Sequence, residues 1–282
     1  MLVCYAHPDD ETFGLGGTIA RYVDAGVEVH LICATNGDEG TVDPDFLEGY
    51  DSIGAMRLAE LRCAAEKLGI KQVYTFGYRD SGMMGSPNNH HPDALWQADQ
   101  DVLVGRVVEV VRRVRPQVVI TFDPYGGYGH PDHIAMHRAT LRAFHEAGDA
   151  ESYPEQIASG LQPHRPQKLY YPIFPRTSIQ IGVWLARLRG QDPRRMGKNQ
   201  DMDFLAVLES TLPTHARLDL RAYYDAWQDA VSCHASQMGP RQMFPLPRAI
   251  ERLVFGWQSF YRAWPEAQNG APVERDLFAG ID

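Results

Sequence analysis

The chain of 282 residues lacks several features that mark other classes of protein. It has no apolar run approaching the roughly 18 residues that a membrane span requires. Its N-terminus has no basic stretch followed by an apolar one, as a secretory signal would have. The formal net charge is −9, which argues against a nucleic-acid binder because such proteins neutralise phosphates. We therefore expect a cytoplasmic globular protein whose partners include neither a membrane nor a nucleic acid.

Cysteine is scarce and scattered. The four cysteines are Cys4, Cys33, Cys63 and Cys233, and none forms a Cys-x-x-Cys pair. Cys4 and Cys33 lie inside apolar, strand-like runs. Disulfide frameworks and thiolate metal sites need paired or regularly spaced cysteines, whereas small buried thiols are typical of a reducing cytoplasm. We expect core residues here rather than disulfides or metal ligands.

A complete dinucleotide-binding loop is also missing. Glycines occur at positions 14, 16 and 17, but the third glycine of the Gly-x-Gly-x-x-Gly pattern is absent at the required spacing. Close packing of a helix on a strand explains these glycines better than a phosphate-binding loop does.

What the chain does contain is an alternation of short apolar runs with amphipathic segments. Strands are predicted at 1–5, 27–34, 73–76, 118–122 and 168–173. Helices are predicted at 18–25, 56–68, 102–114 and 133–144. Near-continuous apolar strands that alternate with helices predict an α/β fold, a Rossmann-like, doubly wound, mostly parallel sheet with helices on both faces.

The alternation weakens after about residue 175. Segments 178–189 and 222–231 have helical patterns, and 240–247 is a proline-rich stretch typical of a loop. We expect a Rossmann-like catalytic core at 1–175. A mainly helical C-terminal extension, 176–282, is expected to pack over the active-site rim within a single structural domain.

Two short strings carry the chemistry. Residues 7–11 read His-Pro-Asp-Asp-Glu, directly after the predicted strand at 1–5, and residues 130–133 read His-Pro-Asp-His, in the segment that follows the predicted strand at 118–122. In a parallel sheet, ligands bind at the carboxyl ends of the strands. Either string alone is explained by a capped turn. Together they supply three nitrogen or oxygen ligands and a spare carboxylate, which is what a hydrolytic metal site needs.

These strings resemble the LmbE/PIG-L family of zinc-dependent N-acetylglucosamine deacetylases. The resemblance extends over residues 1–175 and includes Gly-Gly-Thr at 16–18, with weaker agreement at 234–237. Within the family, residues 78–85 and 126–130 are most similar to the mycothiol-pathway deacetylases, which remove acetate from a glucosaminyl-inositol precursor. A zinc-dependent deacetylase acting on linear amides is therefore implied.

The resemblance implies that His7, Asp10 and His133 hold a zinc ion, with iron(II) as an alternative metal. It also implies that Asp9 is the base that activates a water molecule. The spacing is independently reasonable, because His7 and Asp10 lie three residues apart in a turn. Both can reach one ion while Asp9 points elsewhere.

The remaining roles are also implied by the resemblance. His130 and Tyr128 would stabilise the oxyanion or serve the leaving amine, with Asp132 tuning His130. Arg57 and Asp80 would contact polar groups of the substrate.

Three hypotheses follow for the function. The first is a deacetylase acting on an N-acetylglucosaminyl conjugate of a small molecule, such as glucosaminyl-inositol, in low-molecular-weight thiol biosynthesis. The second is an amidase acting on a thiol S-conjugate or another acylated amino sugar. The third is a non-catalytic sugar- or nucleotide-binding module, against which the spare carboxylate of Asp9 argues. The aglycone and the oligomeric state are left open, and His234 is compatible with either a structural hydrogen bond or a substrate contact.

Overall fold

The computed structural model describes residues 1–197, 200–238, 247–268 and 270–281. Its sheet has seven strands within these residues: β1 Leu2–Tyr5, β2 His30–Thr35, β3 Gln72–Tyr78, β4 Val118–Thr121, β5 Lys168–Ile173, β6 Ala216–Asp219 and β7 Trp257–Trp264. The strand order is β3-β2-β1-β4-β5-β7-β6. The five strands from β3 to β5 pair in parallel, and β7 and β6 add an antiparallel edge.

The larger helices connect the parallel strands. The α-helices are α1 Asp10–Phe13, α2 Gly16–Asp24, α3 Ile53–Leu68, α4 Gln100–Val114, α5 Gly126–Gly129, α6 Pro131–Glu146, α7 Pro154–Ala158, α8 Arg176–Leu188, α9 Phe204–Glu209, α10 Tyr224–Val231 and α11 Arg248–Phe255. Short 3-10 helices lie at Pro44–Leu47, Pro87–His90, Leu95–Gln97 and Arg221–Tyr223.

The sheet is buried on both faces, as its apolar strands require. All four residues of β1 are buried, and successive side chains in a strand point to opposite faces. Leu2 and Cys4 join the core cluster beneath α4 and α6. Val3 and Tyr5 join the opposite cluster beneath α2, α3 and α10. The predicted doubly wound, mostly parallel arrangement is confirmed.

Strand β2 begins at His30, later than the predicted start at residue 27. The hydrogen-bonded ladder between β1 and β2 starts at the pair Leu2 and His30, so β2 begins at the residue opposite the start of β1. The preceding residues therefore lie before the paired region.

The prediction of a mainly helical C-terminal extension is incomplete, because two of the seven strands lie there beside α8 to α11. Strand β7 pairs with both β5 and β6 and so joins the region after residue 175 to the sheet. The four residues of β6 alternate between buried and exposed, which is the pattern of a strand with one buried face. The predicted loop at 240–247 lies outside the described residues except for its last position.

The prediction that all four cysteines are unpaired is wrong. A disulfide joins Cys63 and Cys233, while Cys4 and Cys33 are free and buried. Cys63 lies on α3, and Cys233 follows α10, which packs against α3. The inference of a reducing cytoplasm from cysteine usage therefore loses its basis. Among the described residues, no helix is both long and apolar enough to cross a bilayer.

Candidate active site

The two strings meet at one edge of the sheet because β1 and β4 are parallel neighbours. In the sheet, β2 and β3 lie on the far side of β1 from β4, whereas β5 lies on the far side of β4 from β1. This reversal of strand order opens a crevice at the carboxyl ends of the strands. The loop at residues 6–10 and the loop at residues 122–130 line that crevice.

The three predicted metal ligands lie at mutually suitable distances. His7 Nδ1 is 3.1 Å from His133 Nε2 and 3.5 Å from Asp10 Oδ2. Asp10 Oδ1 is 3.4 Å from His133 Nε2. Zinc bonds of about 2.0–2.2 Å in a tetrahedron place ligand atoms about 3.3–3.6 Å apart. The two Asp10 distances, one from each carboxylate oxygen, lie within this range, and the distance between the two histidine nitrogens is slightly shorter. The residues are therefore of the right kind, and close to the right spacing, for one zinc-sized ion.

Hydrogen bonds fix the lone pair of each histidine toward that point. His133 Nδ1 lies 3.0 Å from the carbonyl oxygen of Gly126, to which it can only donate, so Nε2 carries the lone pair. His7 Nε2 lies 3.1 Å from Asp132 Oδ2, which leaves Nδ1 as the free electron donor. Such outer contacts orient histidine ligands and raise their basicity.

The ionisable cluster is wider than the predicted triad. His7, His130 and His133 also lie close enough together to hold an ion. A second set combines His7 and His130 with Asp80 and Asp132. The carboxylates of that second set face Nε2 of His7 rather than Nδ1.

Carboxylates dominate the electrostatics around His7. Burial alone would lower the pKa of His7, yet Asp80, Asp10 and Asp132 raise it well above its usual value. The pKa of Asp10 is held well below its usual value, against the effect of burial, by His133 and His7. Carboxylates thus surround the buried imidazole of His7.

Asp9 lies beside the triad in an unusual backbone conformation. Its φ is 125°, a region that L-residues rarely adopt. Asp9 Oδ2 is 2.9 Å from Nη2 of Arg57, and Arg57 also donates to the carbonyl oxygens of Pro8 and Gly37. Burial raises the pKa of Asp9 to about 6, although Arg57 opposes this shift.

His130 and Tyr128 approach the site from the loop after β4. His130 is the N-cap of α6, where its Nδ1 accepts the backbone N–H of Asp132 at 3.2 Å. The neutral ring therefore carries its proton on Nε2. Burial, with His7 and His133, lowers the pKa of His130 well below its usual value. The ring of Tyr128 lies 5.0 Å from that of His133, and burial raises its pKa.

The other predicted site residues, Asp132, Arg57 and Asp80, contact one another's neighbours in the cluster. The carboxylate of Asp132 contacts His7 and accepts hydrogen bonds from the backbone N–H and the hydroxyl of Ser81. The backbone N–H of Asp132 donates to Nδ1 of His130. Arg57 is buried against Asp9 rather than displayed to a ligand. Asp80 is buried too, 3.6 Å from His7 Nε2 and 3.9 Å from His130 Nε2.

Sequence reasoning assigned no role to Ser81 or Glu11, and it left the role of His234 open. Glu11 belongs to the first string, and Ser81 follows Asp80, so both were adjacent to identified residues. His234 Nε2 is 2.7 Å from Glu11 Oε1, and both side chains are almost fully buried. Of the two alternatives for His234, a structural hydrogen bond and a substrate contact, the structure shows the hydrogen bond.

The fold and this cluster together define a Rossmann-like α/β protein with a candidate metal site. Residues 2–144 match the family described as PIG-L: GlcNAc-PI de-N-acetylase. The 1D-myo-inositol 2-acetamido-2-deoxy-alpha-D-glucopyranoside deacetylase of Acidothermus cellulolyticus is 37% identical over 298 residues, covering 100% of this chain and 95% of that relative. The protein of the same name from Geodermatophilus obscurus is 38% identical, covering 100% and 97%.

A solved structure shares the fold at greater distance. The N,N'-diacetylchitobiose deacetylase from Pyrococcus horikoshii has a TM-score of 0.62 and 20% identity, with 93% of this chain and 82% of that chain covered. At this identity the likeness concerns the fold alone. On the match to the family and the two full-length relatives, the chain belongs to the PIG-L family, as its motifs predicted.

Proposed function

We propose that this protein is a metal-dependent deacetylase that hydrolyses the acetamido group of an N-acetylglucosaminyl-inositol, a step in low-molecular-weight thiol biosynthesis. The observation that carries the proposal is the close approach of His7, Asp10 and His133, with 3.1, 3.5 and 3.4 Å between their potential ligand atoms, and Asp9 beside them. The inositol glycoside is favoured because it is named in relatives that match the whole chain.

In this proposal His7, Asp10 and His133 hold zinc, with iron(II) as an alternative. Zinc bound there would polarise the amide carbonyl and make water a better nucleophile. Asp9 accepts the proton of the attacking water, and its raised pKa suits a base that works near neutral pH. The water oxygen bonds to the carbonyl carbon, the carbon–nitrogen bond breaks, and the proton passes from Asp9 to the amine.

The neutral side chains of His130 and Tyr128, from the loop after β4, act on the carbonyl oxygen of the amide, where negative charge develops. His130 presents an Nε2–H because its Nδ1 is occupied by a backbone donor. Tyr128 keeps its hydroxyl proton at neutral pH, and burial raises its pKa further. Preorganised donors of this kind stabilise an oxyanion without reorganisation. Asp132 orients His7, and Arg57 holds the Asp9 carboxylate. A contact between Asp80 and substrate hydroxyls stays a prediction.

The domain organisation belongs to the same proposal. Strand β7 lies between β5 and β6 in the sheet, so the region after residue 175 completes the sheet that carries the site. We infer a single structural domain, in which 176–282 cannot be removed without exposing β5.

The test is a comparison of substrates with purified, zinc-loaded protein. Amine release is measured for N-acetylglucosaminyl-inositol, N-acetylglucosaminyl-malate, free N-acetylglucosamine and an amide-containing thiol S-conjugate. We expect kcat/KM to be highest for the inositol glycoside and at least about tenfold lower for the free sugar, since remote binding energy contributes to the transition state. Faster cleavage of the S-conjugate would assign the protein as an amidase, and binding without amine release would assign a sugar-binding module.

A further inference from the structure

The backbone of Asp9 is held by contacts on both sides of the residue. Its carbonyl oxygen accepts the backbone N–H groups of Thr12 and Phe13 at 3.0 and 2.9 Å, which start α1. Its own N–H donates to Oε2 of Glu11 at 3.0 Å. A non-glycine residue at φ 125° persists only where its surroundings over-determine it. Glu11 is therefore part of what keeps Asp9 in this conformation.

Glu11 is in turn held from the far end of the chain. Its second oxygen, Oε1, lies 2.7 Å from Nε2 of His234. Glu11 is 1% exposed and His234 is fully buried. The two oxygens of Glu11 thus connect a residue 223 positions away to the amide of Asp9.

His234 is fixed to α3 by its neighbours in sequence. Cys233 forms the disulfide with Cys63 on α3. The backbone N–H and the hydroxyl of Ser236 donate to the carboxylate of Glu60, also on α3. Because Arg57 belongs to the same helix, α3 restrains Asp9 twice. Arg57 holds its carboxylate, and His234 acts through Glu11 on its backbone.

A stabilising role alone is a poor explanation of this pair. Burying two ionisable groups carries a desolvation cost that well-packed apolar side chains avoid, and such apolar replacements are often neutral or stabilising. The ion-holding clusters identified among the described residues include neither Glu11 nor His234. Glu11 does contact Asp9, the strained residue next to the proposed metal ligands, and His234 contacts Glu11.

We propose that Glu11 and His234 are positioning residues that hold the Asp9 backbone so that its carboxylate stays aimed at the reacting water. The inference rests on the proposed function of Asp9 as the base. Neither residue touches the reacting atoms, so their effect is on geometry. A displacement of about 1 Å in a catalytic group can cost about 100-fold in rate.

The first experiment compares His234→Leu with His234→Gln. Leucine fills the space without donating, whereas the glutamine amide places an N–H close to the position of Nε2. For His234→Leu we expect kcat to fall by about 10–100-fold, with KM within about twofold and one metal per chain retained. His234→Gln should recover most of that loss. If the leucine variant does not fold, His234→Asn replaces it, since that side chain is too short to reach Glu11.

The matched control is His164→Leu. His164 also uses Nε2 in a single hydrogen bond, to the carbonyl oxygen of Pro116 at 2.8 Å, near the start of β4 and away from the crevice. Its kcat should stay at the wild-type value. Melting temperatures of all variants separate a loss of folded protein from a loss of turnover.

The deciding measurement is a double-mutant cycle with Asp9→Asn. If His234 acts through Asp9, His234→Leu should change kcat by less than about twofold in the Asp9→Asn background. An undiminished loss in that background, failure of glutamine to rescue, or a loss that follows metal content would overturn the positioning role. If Asp9→Asn alone left turnover unchanged, the proposed base itself would be wrong, which is a different result.

Discussion

The crevice between β1 and β4 and the region after residue 175 contribute to the site in different ways. The crevice supplies every member of the ion-holding clusters identified among the described residues, from two loops and the segment after β3. The later region supplies strands that complete the sheet and His234, which restrains Glu11. The proposed reacting groups therefore all come from the crevice, whereas His234, one of the groups that restrain them, comes from the region after residue 175. Substitutions in the crevice should therefore remove metal binding or a reacting group, whereas substitutions in the later region should weaken the contacts that hold those groups.

The largest loss of turnover is expected from replacing His133, a proposed metal ligand in the crevice. His133→Ala should lose the metal and at least roughly 10³-fold in turnover, more than the 10–100-fold typical of residues that only support a ligand. Metal content by elemental analysis and kcat on the same preparation check this. Full metal and full turnover in this variant would show that the alternative cluster of His7, Asp80, His130 and Asp132 is the metal site.

A smaller effect, with the metal retained, is expected for the spare carboxylate. Asp9→Asn removes the base while keeping the size of the side chain, and kcat should fall by about 10²–10⁴-fold. One metal per chain should remain. Loss of metal from this variant, with activity restored by added zinc, would mean that Asp9 and Asp10 have exchanged the roles assigned to them.

The next largest loss of turnover is expected for His130, and it tests whether this residue acts on the transition state or on substrate binding. His130→Ala removes the Nε2–H donor, and kcat should fall by about 10²-fold, the scale of one oxyanion donor. KM should change little, because the interaction forms mainly in the transition state. The variant must keep its helix, since His130 caps α6, so a circular dichroism spectrum accompanies the kinetics. A raised KM with unchanged kcat would instead assign His130 to substrate binding.

Much of the crevice could be predicted from the sequence because its information is local. The ligands lie within two strings of four or five residues, and each string follows a strand of consecutive buried residues. Such strands are recognised by composition alone. Parallel strands place both strings at the same edge of the sheet, whereas the pairing of β1 with β4, which makes them neighbours, is long-range.

The restraining contacts could not be predicted in this way, because each joins positions far apart in sequence. Glu11 meets His234 across 223 residues, and Ser81 meets Asp132 across 51. Strand β6 has only four residues, too few for a clear alternating pattern to stand out. The disulfide could not be predicted for the same reason, because the packing of α10 on α3, rather than a spacing motif, brings its cysteines together.

A modest effect is expected from a residue that supports a ligand without touching the metal. Ser81→Ala removes the hydroxyl donor to Asp132, the carboxylate that orients His7. Zinc affinity should weaken by about 10–100-fold, while kcat at saturating zinc stays within about threefold of the wild type. Competition with a chelator measures the affinity. An unchanged affinity would show that the backbone N–H of Ser81 alone holds Asp132 in place.

The smallest effect on turnover is expected from the disulfide, which tests the later region most directly. The two cysteines are 170 residues apart, so breaking the bond frees a long loop in the unfolded chain. In the chain-entropy description this lowers the free energy of unfolding by up to about 5 kcal/mol. Reduced protein and a Cys63→Ser/Cys233→Ser variant should therefore melt at a lower temperature than the oxidised protein. Turnover below the melting transition should stay close to that of the oxidised protein, because Ser236 still holds the His234 segment to Glu60. Alkylation of the denatured chain followed by mass measurement provides the control. Two thiols, Cys4 and Cys33, should react before reduction and four after it, and four reactive thiols without reduction would show that the bond does not form.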